Sequence, residues 1–94
     1  MANPLGNPED QTPLTITDTP QEVTLGYGLS SLEAQNSGNS DIYYGKYSTL
    51  TSARGGIIYS AGDRKSWENC PTGWKISFVC ATGKTSTLRL IYYV

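Results

Sequence analysis

A chain of 94 residues with seven Lys and Arg, eight Asp and Glu and no histidine excludes several classes of protein at once. Near-cancelling charge leaves neither the basic stripe of a nucleic-acid binder nor the polybasic cluster that holds proteins to anionic membranes, and no apolar run approaches the ~18 residues of a spanning helix. At this length only about 60–65% of the unfolded chain's surface is buried on folding, so one domain with a modest core is expected.

Residues 1–13, MANPLGNPEDQTP, carry the prolines Pro4, Pro8 and Pro13. Proline fixes φ and removes a backbone donor, so the stretch reads as an extended polar N-terminal arm ahead of a folded unit over 14–94. Two readings stand for it. It is either a disordered terminus or an arm laid along a neighbouring subunit, with Pro4, Leu5, Pro8 and Pro13 as contacts. The first residues lack the basic and apolar regions of a signal peptide, which predicts synthesis and folding in the cytoplasm.

From Leu14 the pattern is β. LTIT (14–17) and EVTLGYG (22–28) alternate apolar and polar residues around a turn at DTPQ. LSSLEAQ (29–35) runs into the turn formers NSGNS, and DIYYG (41–45) follows, so the two flanking runs predict a hairpin. Leu29 and Leu32 alone have helix-like spacing, over a stretch too short to persist as a helix. A polar connection (46–56) leads to IIYS, AGDR turns the chain, and KSWEN is a further candidate strand. In the last third, Trp74, Ile76, Phe78 and Cys80 share one face of a strand. ATGK turns it, and Leu88, Leu90 and Tyr92 share one face of the returning strand, with Arg89, Ile91 and Tyr93 opposite. About seven short runs with frequent turns predict an all-β fold, a small antiparallel β-sandwich or jelly-roll-like domain. A final strand apolar on both sides is either covered twice or meets another chain; in so small a domain, the second is expected for Ile91 and Tyr93.

Chemistry is sparse. Nucleophilic catalysis usually needs an activating base, most often histidine. The carboxylates are scattered over turns and the arm, without the paired placement a glycosidase needs. Gly83-Lys84-Thr85 ends like a phosphate loop, but Phe78 stands where that motif needs glycine. Cys70 and Cys80 fit no zinc spacing, so no metal and no cofactor is expected, and no enzyme. In a cytoplasmic protein the two cysteines read as reduced thiols, with a disulfide as the alternative. Seven tyrosines and two tryptophans stand against one phenylalanine, a skew toward rings with a polar edge that suits half-dry surfaces. Trp74 and Tyr92 are read as core. Tyr43, Tyr44, Tyr47 and Trp67 are read as subunit contacts or as a ligand face.

Taken together, the turn at 36–40, the Ile-Tyr-Tyr-Gly strand at 42–45, the Gly-to-Asp segment at 56–63 and the closing hairpin at 80–84 resemble a family. It comprises the small β-sandwich structural proteins of tailed bacteriophages, and the likeness spans about residues 20–94. The resemblance implies a non-enzymatic virion protein, most of all a capsid decoration (cement) protein at the capsid surface. Such a protein binds the major capsid protein, often as a trimer over junctions between subunits, through an arm and strand edges. The alternative it implies is a tail- or fibre-associated carbohydrate-binding module. Neither nucleic acid nor membrane is an expected partner.

Overall fold

The computed structural model describes residues 8–46, 50–51, 55–60 and 62–94. These form nine strands and no helix: β1 (Pro8–Asp10), β2 (Leu14–Ile16), β3 (Gln21–Thr24), β4 (Leu29–Asn36), β5 (Ile42–Gly45), β6 (Gly56–Ile58), β7 (Arg64–Cys70), β8 (Lys75–Val79) and β9 (Ser86–Tyr93). All pairings are antiparallel, and they make two sheets. The first runs β1-β9-β4-β7, with β2 also pairing β9; the second runs β3-β8-β5-β6.

The two sheets share one core. Ile16, Leu32, Ala34, Leu88 and Leu90 from the first meet Ile42, Ile58, Ile76 and Phe78 from the second. Leu32 and Phe78 are completely buried, and burial of such a side chain contributes about 1.5–3 kcal/mol. The radius of gyration is 12.9 Å, close to the ~13 Å of a compact 100-residue domain. The all-β reading of the sequence therefore describes the molecule.

Three expectations about connections do not hold. The runs flanking 36–40 are not a hairpin: β4 lies in the first sheet and β5 in the second. The strands flanking 81–84 also part company, β8 to the second sheet and β9 to the first. The local turn is as predicted, with Lys84 N donating to Ala81 O at 2.9 Å and Gly83 at φ 76°. A tight turn and an arch between sheets use the same residue types, so turn chemistry alone does not decide pairing. The third concerns the arm. Residues 8–10 are a strand on β9 of the same chain, with Pro8 opposite Tyr93 and Asp10 opposite Ile91, and Gln11 N continues the contact to Leu90 O at 3.0 Å.

The helix-like spacing of Leu29 and Leu32 has a β explanation. Both are buried in the core, as are Cys70 and, in part, Trp67 on β7, where Leu29 faces Cys70 and Leu32 faces Trp67. Strict alternation puts residues three apart on opposite faces. Here the phase slips in both strands, at Asn69, the only non-glycine residue with positive φ (55°) among the described residues. The register is the same on both sides of it, so the change of facing involves no inserted residue.

Asn36, at the end of β4, is completely buried and has every polar group paired. Its Nδ2 donates to Ser40 O and to Ile58 O, both at 2.8 Å. Its Oδ1 accepts from Gly38 N at 3.1 Å and from Ser86 Oγ at 2.7 Å. Its backbone N donates to Asp63 O and its carbonyl accepts from Gly62 N. One side chain thus joins β4 and β9 of the first sheet to β6 of the second. Gly38 completes the corner, because a Cβ there would come within 2.5 Å of Thr87 N. Beside it, Asp63 accepts from the backbone N–H groups of Tyr59 (3.1 Å) and Arg64 (2.9 Å). Those two donors hold its carboxyl below the ordinary carboxylate value.

Two outcomes follow from this corner. Asn36→Leu keeps the volume but takes the side-chain partner from two carbonyls and an amide, and the acceptor from the Ser86 hydroxyl, which keeps only its 3.5 Å bond from Ser40 N; unfolding in urea should show a loss of about 3–5 kcal/mol with an unchanged m-value, and a loss under ~1 kcal/mol would contradict the assignment. For Asp63, a folded pKa below the unfolded one means the stabilisation is complete above the unfolded value and vanishes as pH falls through the folded one. The gap in melting temperature between wild type and Asp63→Asn should therefore be present at neutral pH and close below about pH 4, as followed by circular dichroism across a pH series.

Candidate functional site

Open sheet edges are the simplest sites of assembly, since unpaired N–H and C=O groups invite another strand. Here each outer strand is blunted. β7 carries Arg64, Lys65 and Glu68, all exposed, and its ladder is interrupted at Asn69. β3 is four residues behind Pro20, and β6 is three residues. β1 and β2, three residues each, are separated by Gln11, Thr12 and Pro13. These features discourage edge-to-edge pairing with another sheet.

The outer face of the first sheet places Ile91 between Asp10 and Glu33, and Tyr93 between Pro8 and Ser31. Both are half-buried. Around them Arg64 pairs with Glu33 at 3.1 Å and Arg89 lies 3.9 Å from Asp10. The outward apolarity read from the sequence is therefore a stripe of two residues inside a charged field. On the inner side, the Tyr27 hydroxyl donates to Glu9 Oε1 at 3.1 Å, and its ring meets Tyr92 edge-on at 6.4 Å. These contacts pin β1 to the body, and the hydrogen bond to Glu9 raises the Tyr27 phenol above its ordinary pKa.

The expected tyrosine cluster is divided. In the second sheet Tyr44 is opposite Phe78, and Tyr43 is opposite Val79 and Ile57, so neighbouring rings point to opposite faces. Tyr44 turns inward and meets Trp67 edge-on, centroids 5.3 Å apart at 77°. Tyr43 borders a polar hollow of about 310 Å³ with Asp41, Ser60 and Lys84. Tyr47, Pro4 and Leu5 lie outside the described residues. Pro8 is in β1, and Pro13 is exposed between β1 and β2. The described members of the predicted interface thus divide among the two outer faces and the core side of the sheets.

One grouping was not anticipated. Trp74 packs half-buried against the core, as expected, and lies 5.9 Å from Trp67 at 53°. The two rings border a groove of about 540 Å³ along β7, lined also by Ser66, Glu68, Asn69 and Cys70. The backbone fixes Trp74 firmly: its carbonyl accepts from Leu25 N at 2.9 Å, and its own N donates to Pro71 O at 3.1 Å. Sequence spacing gave no sign of the pairing, because Trp67 is on β7 and Trp74 in the turn before β8, and the rings meet only once that turn has folded back.

Neither cysteine is in a disulfide, and both are buried. Cys80 Sγ donates to Ile16 O at 3.5 Å and Cys70 Sγ to Trp67 O at 3.6 Å. Burial pushes both thiols above their ordinary value, and for Cys80 the carboxylates of Asp18 and Asp41 add to it. Among the described residues no group of three or more His, Cys, Asp or Glu is placed to hold a metal ion. No protein-family model, curated protein or solved structure matches the chain.

The thiols offer a direct check. A chromogenic aromatic disulfide at about pH 8 should react very slowly with the native protein and titrate both cysteines once denaturant is added. Native reaction at close to the unfolded rate would contradict their burial.

Proposed function

We propose that this chain is a non-enzymatic structural protein of a bacteriophage virion, a decoration protein that binds the outside of the capsid and bridges its subunits. The resemblance over residues 20–94 motivates the reading, and the all-β, two-sheet architecture is consistent with it. The observation that carries it furthest is the outer face of the first sheet, where Ile91 and Tyr93 stay half-exposed on the last strand, ringed by Asp10, Glu33, Arg64 and Arg89. Apolar side chains inside a polar rim are the anatomy of a protein contact.

In this reading the partner is the major capsid protein, and the protein acts as a trimer at the capsid surface after synthesis in the host cytoplasm. Each copy contributes a modest contact, and a symmetric trimer multiplies it by avidity. The finer architecture, a jelly-roll-like sandwich whose first residues reach a neighbour, belongs to the same proposal. The reach falls to residues 1–7, since residues 8–10 are committed to β9. Deleting 1–13 would strip β1 from the sheet, so it does not isolate the arm.

Capsids prepared without the protein provide the test. Wild type should co-sediment with them and raise their resistance to heat. Ile91→Lys with Tyr93→Ser should weaken binding at least tenfold with the circular dichroism spectrum retained. Light scattering should give about three times the 10.2 kDa chain mass. Absence of binding at micromolar concentration, or unchanged binding by the double variant, would overturn the reading.

A further inference from the structure

The outer face of the first sheet is laid out in rows that cross its strands. In one row Asp10, Ile91, Glu33 and Ser66 are neighbours, and in the next Pro8, Tyr93, Ser31 and Glu68. Arg89, Gln35 and Arg64 make a third row, on the far side of the first. Both arginines already have partners on this face: Arg64 reaches Glu33 at 3.1 Å, and Arg89 lies 3.9 Å from Asp10. Glu68 is different. It is exposed and, among the described residues, takes part in no hydrogen bond or ion pair. Lys65, on the same strand, lies opposite the buried Ala34 and so belongs to the inner side. Across the row from Glu68, beyond Ser31, stands Tyr93. It is half-buried, and its carbonyl accepts from Ser30 Oγ at 2.8 Å. Two strand spacings, about 10 Å, separate the Glu68 and Tyr93 backbones. A short side chain, Ser31 at 5% exposure, is thus flanked by an aromatic ring and an uncompensated carboxylate.

From this arrangement we infer that Tyr93, Ser31 and Glu68 form a receptor for one arginine side chain of the partner that docks on this face. The inference rests on the reading of the Ile91 and Tyr93 stripe as a protein contact, with the capsid protein as partner. A guanidinium laid on the Tyr93 ring is attracted by the negative face of the π-system. Its N–H fork then reaches Glu68, whose two oxygens accept parallel charge-assisted hydrogen bonds. Ile91, two residues along β9 on the same face, gives the methylene stem an apolar surface to lie on. Lysine fits less well, because its ammonium is more strongly hydrated and neither stacks nor bonds as a fork. A purely apolar or an acidic partner would cover Glu68 without a counter-charge, which is strongly unfavourable.

The test uses a peptide, acetyl-Gly-Leu-Arg-Leu-Gly-amide, titrated into isotope-labelled protein at low salt. Two control peptides carry lysine or citrulline in place of arginine; citrulline keeps the shape of the side chain and lacks its charge. The arginine peptide should shift the backbone amide resonances of Ser31, Glu68 and Tyr93 saturably, with a dissociation constant of about 1–10 mM. The citrulline peptide should bind roughly tenfold more weakly or worse, and the lysine peptide more weakly than arginine. Glu68→Gln changes an exposed side chain, so the fold survives, and it should remove the preference for arginine over citrulline. On capsids the same variant should bind at least fivefold more weakly, with a flatter dependence on salt. The inference is overturned if the arginine peptide leaves those resonances in place, or if citrulline or lysine binds as tightly as arginine. It is equally overturned if Glu68→Gln binds peptide or capsid as wild type does. Wild type that takes the arginine peptide and ignores capsids would instead overturn the capsid reading and leave an arginine receptor for another partner.

Discussion

Two stacked sheets have no backbone ladder between them, so something other than strand pairing must fix how they meet at their ends. In this protein the Asn36 side chain does so. Buried with no exposure at all, it bonds to β6 of the second sheet through Ile58 O, to the 38–40 turn, and to Ser86 at the start of β9. A buried amide is costly when unpaired and specifying when satisfied. Apolar packing is tolerant of small slips, whereas these four bonds permit one placement of β4 relative to β6. The crossing at 37–40, and with it the assignment of β4 and β5 to different sheets, rests on that corner.

With the sheets fixed, the open sides of the layer pair decide what faces the outside. Each outer strand is short, proline-flanked or charged, which discourages edge-to-edge pairing with another sheet. Two surfaces then stand out. One is the Ile91 and Tyr93 stripe on β9, inside a ring of paired and unpaired charges. The other is the groove at β7, where Tyr44 of β5, Trp67 of β7 and Trp74 just before β8 form a chain of rings.

Much of the fold could be read from local pattern. Alternation in 86–93 correctly places Leu88 and Leu90 inward and Arg89 and Ile91 outward, since a strand's faces follow from period two. The stretch 29–36 is less readable, because the phase slip at Asn69 brings Leu29 and Leu32 to the same core at a spacing that imitates a helix. The site was less legible still. Tyr43 and Tyr44 look like one cluster in sequence and end on opposite faces, whereas Trp67 and Trp74 look unrelated and end 5.9 Å apart.

By itself the sequence determined the all-β character, the positions of most strands, the turn at 81–84 and the inward faces of the last two strands. Each of these is set by residues close together in the chain: alternation, turn formers, proline. Which strands pair, which turns are arches, where residues 8–10 lie and which aromatics meet were decided only by the tertiary structure. These depend on contacts between residues dozens of positions apart, such as Asn36 with Ser86 or Pro8 with Tyr93. No local pattern encodes such a contact, because its energy exists only once the whole core has closed.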